Sequence, residues 1–342
     1  MRYHAHLADI CAEEGGTTLG PAYASRPARG LPLAPLGGFV FTGIEIEVEN
    51  VSVHELAAPE PWSVVPDGSL RNSGMELLSR PIRTLQSLRQ YCNKYTELRH
   101  TFPWRDSIRT STHVHLDARS MRLQHLVKLL AAYNVVEPFL YRHCGAIREE
   151  NIYCVPLYRA DTLTENVVSG VISGRFDQVL REACKYSGLY VGPISTFGTV
   201  EFRMAPSFRT GAGVMEWVLM LHHFYNAALA ANPEWVHSCL DRGEYAPVLA
   251  QLLPEELMRH VPPVGELADI IEENTCDTRA MALYDLFLPR RERAWVCPEM
   301  PAVERLTLAG VAHERLERED DDDDEIGRIE NEDEWHGPEE EY

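Results

Sequence analysis

Four short runs place ionisable side chains at every second position. In residues 43–49 (GIEIEVE), Glu45, Glu47 and Glu49 alternate with Ile44, Ile46 and Val48. In GMELLSRP, Glu76 stands among Met75, Leu77 and Leu78. In residues 111–117 (STHVHLD), His113 and His115 are two apart, and in GTVEFRM so are Glu201 and Arg203. In an extended strand alternate residues share a face, so each run aims its polar groups one way. Same-face carboxylates then stand roughly 6.5–7 Å apart. Between such a pair, two metal ions about 3.5–4 Å apart can be held. The two imidazoles converge on one point, and a guanidinium beside a carboxylate can grip a phosphate in a bidentate contact. Oxygen donors with one imidazole suit Mg²⁺ or Mn²⁺, whereas zinc favours nitrogen and sulfur.

Each run taken alone has a plainer reading. A glutamate-bearing face on an antiparallel strand is often simply solvated, and Glu76 fits an ordinary two-faced strand. A single histidine on a strand is commonly a core or surface residue, and Glu201 with Arg203 makes an exposed cross-strand ion pair worth little. The HxH pair also occurs in zinc hydrolases and cupins. No glutamate follows at cupin spacing, and the zinc alternative stays open.

The elements that must carry these runs are legible as strands and helices. Strand patterns cover FVFTGIEIEVENVSV, WSVVPDGSL, GMELLSRP, IRTSTHVHLD, LYVGPIS and GTVEFRMAP. Helical spacing covers 84–100, 119–143 (with a bend expected before Pro138), 162–185 and GVMEWVLMLHHFYNAALAA, with short helices over 247–290. Strands arrive in neighbouring pairs with helices between, which predicts an α+β fold with a largely antiparallel sheet. No GxGxxG follows the first strand and no GxxxxGK[ST] occurs, so neither nucleotide-binding loop of the parallel-sheet folds is expected.

At 342 residues and 45% hydrophobic, the chain can bury a sizeable core. Its formal charge of −20 is uneven: residues 314–342 hold 16 acidic and 3 basic side chains, a net −13, which leaves −7 for the other 313. No dense Lys/Arg stripe marks a general nucleic-acid surface. The expected organisation is an irregular Gly/Pro-rich lead-in over 1–37, a catalytic domain over 38–313, and an acidic tail over 314–342 too polar to order itself. That tail supplies solubility, or docks on a basic protein partner or on cationic groups near Arg148 and Arg203, with Trp335 as anchor. The eight cysteines show no CxxC pairing, no secretory leader is apparent, and no apolar run reaches the ~18 residues of a membrane span. Reduced cysteines in a cytoplasmic protein are expected.

The ordered series GIEIEVE, DGSL…GMELLSRP, STHVHLD, REENIYCVP and TFGTVEFRM resembles the amidoligases of phages and bacteria, relatives of glutamate–cysteine ligase and glutamine synthetase. The resemblance runs from residue 39 to about 224. It implies a curved, largely antiparallel sheet forming half a funnel, with helices on its outer face. It implies ATP- and Mg²⁺- (or Mn²⁺-) dependent joining of a carboxylate to an amine through an acyl phosphate. Glu45, Glu47, Glu76, His113 and Glu201 then match metal ligands. Arg203, His115 and Arg148 match nucleotide or catalytic groups, and Asp67 and Arg148 match substrate-binding groups, although Asp67 is equally at home in a hairpin turn. Candidate substrates are small-molecule or peptide carboxylates and amines, or a modified DNA base. Cys154 is expected to pack rather than react. The competing readings are a binding or structural protein on the same fold without turnover, and the zinc hydrolase.

Overall fold

The computed structural model describes residues 38–51, 60–72, 74–102, 104–121, 123–157, 185–263 and 266–271. The lead-in over 1–37, the helical reading over 162–184, the acidic tail with Trp335, and Cys11, Cys184, Cys276 and Cys297 lie outside the described residues.

Six strands form one sheet: β1 (Thr42–Val48), β2 (Ser63–Pro66), β3 (Met75–Leu78), β4 (Ser111–Asp117), β5 (Leu189–Tyr190) and β6 (Thr199–Pro206). Their spatial order is β2-β3-β1-β4-β6-β5, and every neighbouring pair is antiparallel. The sheet is curved and unclosed. The eight helices named here are α1 (Leu85–Thr101), α2 (Leu123–Cys144), α3 (Ala146–Glu149), α4 (Pro193–Thr196), α5 (Gly211–Ala230), α6 (Pro233–Asp241), α7 (Tyr245–Leu252) and α8 (Glu255–Met258). The expected α+β class and antiparallel sheet are therefore present. One local expectation changes. LYVGPIS yields only a two-residue strand, because Pro193 has no N–H for a ladder and instead starts α4 at N1. Helix α2 carries Pro138 inside it, as the pattern over 119–143 required.

The helices start where side-chain oxygens can cap them. Thr84 accepts from Ser87 N in α1, Thr210 from Gly213 N in α5, and Asn232 from Trp235 N in α6. Helices α2 and α5 pack on the face formed by Ile44, Ile46, Val114, Leu116, Phe202 and Met204, all buried. There Phe202, Phe224 and Tyr133 meet edge to face at centroid separations of 6.1–6.3 Å. With one face closed by helices, the alternate residues of β1, β3, β4 and β6 are left for the other.

His222 of α5 fastens this layer to β1. The Thr42 hydroxyl donates its single proton to the Val40 carbonyl at 3.0 Å, so at its 2.7 Å contact with His222 Nε2 it must accept. The ring is therefore neutral with the proton on Nε2, stacked on Phe39 at 4.3 Å, and its buried Nδ1 has no partner. Burial lowers the His222 pKa to about 4. Because the folded value lies below the unfolded one, the unfolded chain binds more protons between about pH 6.5 and 4, and stability falls as pH falls through that window. Thermal melts from pH 7 to 4 should show a loss of about 1–3 kcal/mol from this residue, and His222→Met should flatten that part of the profile. An unchanged slope in the variant would show that His222 does not set it.

Candidate functional site

The open face of the sheet carries the four polar runs. Glu45, Glu47 and Glu49 are only 9%, 6% and 4% exposed, which excludes a solvated strand face. Buried carboxylates need partners, and the ladder supplies them. Glu45 lies opposite His113 on β4, and Glu47 opposite Glu76 on β3. His115 lies opposite Glu201 on β6 and opposite Gly43 on β1. Gly43 leaves room for the imidazole, since a Cβ there would stand 3.3 Å from that of His115. These residues line a cleft of about 300 Å³, whose walls carry five carboxylates, two histidines and the cations Arg109, Lys185 and Arg203. Glu49 turns elsewhere: its carboxylate accepts from Arg71 N at 2.9 Å and holds the turn after β2.

Two groups of donors form within the cleft. In one, ligand atoms of Glu45, His115 and Glu201 all lie within 4.8 Å of one another; in the other, those of Glu47, Asp67 and Glu76 do. His115 Nδ1 is 3.0 Å from Thr199 Oγ1, which fixes the ring. Its buried Nε2, 3.4 Å from Glu45 and 3.9 Å from Glu201, has no hydrogen-bond partner. A nitrogen aimed between two carboxylates and making no hydrogen bond of its own fits a divalent cation once the ring is neutral. The second group is all oxygen and suits Mg²⁺ or Mn²⁺. Asp67 also accepts from Ser69 N and Oγ, both at 2.8 Å, so the turn role and the cleft role coincide.

His113 stands between the groups, 3.4 Å from Glu201, 3.6 Å from Glu45 and 3.8 Å from Glu47. Ser111 links it to the acids: the hydroxyl donates to Glu47, and so accepts from His113 Nε2 at 2.6 Å. This leaves Nδ1 toward Arg203, whose NH1 is 3.5 Å away. Arg203 donates to Glu201, and its buried Nε has no partner. His113 thus bridges the two donor groups, and His115, which the resemblance matches to a nucleotide or catalytic group, is a member of the first of them.

Charge follows from this packing. Burial alone would raise Glu45, but the imidazoles of His115 and His113 outweigh it and hold the carboxyl well below the usual carboxylate range. Burial works against the charged form of His115, and Glu201 and Glu45 override it, so its pKa is raised. Glu76 has no such cation. Burial, then the charges of Glu45, Asp67, Glu47 and Glu201, push it up to about 8.

Arg148 departs from its expected role on phosphate or substrate. It is buried and does not line the cleft. Its guanidinium donates to the carbonyls of Met204 at 2.9 Å, Ile108 at 3.1 Å and Arg203 at 3.2 Å. The cause is a register shift between Thr112 and Val114, where His113 of β4 faces both Arg203 and Met204 of β6. A bulge leaves ladder carbonyls unpaired, and Arg148 satisfies them. It positions Arg203, whose N–H is held in turn by Gly188 O at 2.8 Å. Cys154 donates its Sγ to the Arg148 carbonyl at 3.1 Å, and burial raises the thiol pKa; it packs. Cys92, Cys144, Cys154 and Cys239 are all buried free thiols. Ser111 and Thr199 escaped sequence reading. Ser111 could have been found as the third member of the 111, 113, 115 face.

Two outcomes follow. Without divalent cations, the folded state holds a proton on Glu76 that the unfolded chain releases above about pH 4.5, so stability drops as pH rises from 4.5 to 8. Glu76→Gln should stabilise the protein at pH 8.5 by on the order of 1 kcal/mol or more, read as a higher melting point, and leave it nearly unchanged at pH 4.5. Arg148→Met should cost about 3–5 kcal/mol by stranding buried carbonyls, read as a lower urea midpoint; a variant as stable as the wild type would contradict this carbonyl-satisfying role.

No protein-family model matches the chain and no curated protein is significantly similar to it, so the reading of the site rests on its own geometry.

Proposed function

We propose that the protein is an ATP- and Mg²⁺-dependent carboxylate–amine ligase, with Mn²⁺ as the alternative ion. The observation that carries this reading is the pair of three-donor groups lining one cleft, with the Arg203 guanidinium beside them. Two cation sites with a guanidinium fit the polyphosphate of a nucleotide better than they fit a single-metal hydrolase. The resemblance in the ordered motifs agrees with it. A zinc hydrolase built on His113 and His115 fits less well, because His113 is engaged by Ser111 and three carboxylates.

Glu45, His115 and Glu201 would hold one ion and Glu47, Asp67 and Glu76 the other, and the ions would screen phosphate charge and align the γ-phosphoryl group. The chain's own residues do the rest. Arg203 offers its partnerless Nε and its remaining N–H groups to phosphate oxygens. His113 keeps Arg203 and the carboxylates at fixed spacing, and Ser111 anchors its ring. In the reaction, a substrate carboxylate oxygen attacks the γ-phosphorus and ADP leaves. The amine nitrogen then attacks the acyl carbon, phosphate departs, and the amine loses a proton as the amide forms. No serine or cysteine nucleophile is needed, in keeping with the buried Cys154.

Mg-ATP at about 100 times its dissociation constant should stabilise the protein by about 2.7 kcal/mol, read as a thermal shift. Zinc alone, without nucleotide, should not reproduce it; a shift with zinc and none with millimolar Mg-ATP would remove the ligase reading. Glu201→Gln and Arg203→Ala should each lower ATP-dependent phosphate release by about 10²-fold or more while the fold persists by circular dichroism.

A further inference from the structure

Most of the large apolar side chains left exposed among the described residues gather at one lip of the cleft. Ile108, Ile147, Ile152 and Tyr186 are between 43% and 69% exposed, and the segments that bear them are tied together. The Ile108 carbonyl accepts from Arg148 and from the Asn151 amide. Val155 N donates to the Tyr186 carbonyl at 2.6 Å, and the rings of Tyr153 and Tyr186 meet edge to face at 5.8 Å. Tyr153 and Tyr186 also line the cleft, so this apolar lip continues into it.

Two cations stand in the same wall. The Arg109 guanidinium lies over the Tyr153 ring at 5.3 Å and gives one N–H to the Ser69 carbonyl at 3.2 Å. Lys185 is exposed beside Tyr186. Among the described residues neither cation forms an ion pair, in a cleft where Arg203 is matched to Glu201.

We propose that this lip is the docking surface for an acidic polypeptide: an Asp or Glu side chain passes between Arg109 and Lys185 toward the donor groups while its apolar neighbours cover Ile108, Ile152 and Tyr186. The fate of that carboxylate rests on the ligase reading; the docking does not. A free amino acid filling the cleft leaves the isoleucines in water. A nucleic acid brings a charge with every residue against a wall of five carboxylates. A second copy of this chain brings a formal charge of −20 against −20. A polypeptide can present one carboxylate between apolar residues, which matches both halves of the surface.

The test pans a library of short randomised peptides over the immobilised full chain, then measures synthetic copies of the enriched sequences by fluorescence anisotropy. The enriched peptides should carry Asp or Glu flanked by Leu, Ile, Val or Phe. Arg109→Glu with Lys185→Glu should weaken them about tenfold, and Ile152→Asp about threefold. Lys185→Glu alone serves if the double variant melts early. The Mg-ATP thermal shift of Ile152→Asp should equal that of the wild type. Enrichment of peptides without acids, no loss of binding in these variants, tighter binding of oligothymidylate than of any peptide, or a dimer broken by Ile152→Asp would each overturn the proposal. Peptide binding without a Mg-ATP shift would leave docking standing and remove the ligase reading, and the reverse result would do the opposite.

Discussion

Five carboxylates on one wall of a cleft repel one another, and the fold is arranged around containing that repulsion. Glu45, Glu47 and Glu201 are buried, where an unpaired charge is costly. The sheet offsets Glu45 and Glu201 with an imidazole directly opposite each on β4, and Glu201 also with Arg203 two residues along its own strand. Strand order is part of this solution. Putting β4 between β1 and β6 sets the two histidines between Glu45 on one side and Glu201 on the other. On the far side of β1 the same device is missing, because β3 brings Glu76 against Glu47 with no cation opposite. The half of the cleft toward β3 is therefore the half that gains most from an added positive ion.

The helical layer makes such a wall affordable in structural terms. Phe202, Met204, Val114 and Leu116 on the reverse face bury into α2 and α5. Their burial, at roughly 25 cal/mol per Å², stabilises the same strands that the acids strain. Each of these strands is thus held from behind and loaded in front. The alternation that looked in sequence like a half-solvated sheet is instead one apolar face and one buried polar face.

That difference marks the limit of what the sequence carried. Period-two alternation was enough to locate β1, β3, β4 and β6 and to say which residues share a face, because side-chain direction in a strand depends only on parity. It could not say whether the polar face met water or other charges, since both give the same pattern. The placing of the histidines was hidden for a related reason: both approach Glu201, but that His115 is the one opposite it in the ladder depends on inter-strand register. Arg148 was beyond reach altogether. Its partners are backbone carbonyls of Ile108, Arg203 and Met204, and no side-chain pattern records a carbonyl left free by a bulge. Ser111 was within reach, since it shares the parity of both histidines.

The bulge at Arg203 and Met204 also bears on the order in which the chain assembles. Strand β6 cannot satisfy its own backbone through β4 and β5 alone; two of its carbonyls wait for a side chain from α3, which precedes it by more than a strand and a helix in sequence. The Ser207 hydroxyl closes the same region onto the Glu47 carbonyl across 160 residues. Contacts of such separation are slow to form, because loop closure costs entropy before any contact offsets it. The polar wall accordingly rests on contacts between distant parts of the chain, and any change that frees Arg148 from these carbonyls also frees the backbone that aims Arg203.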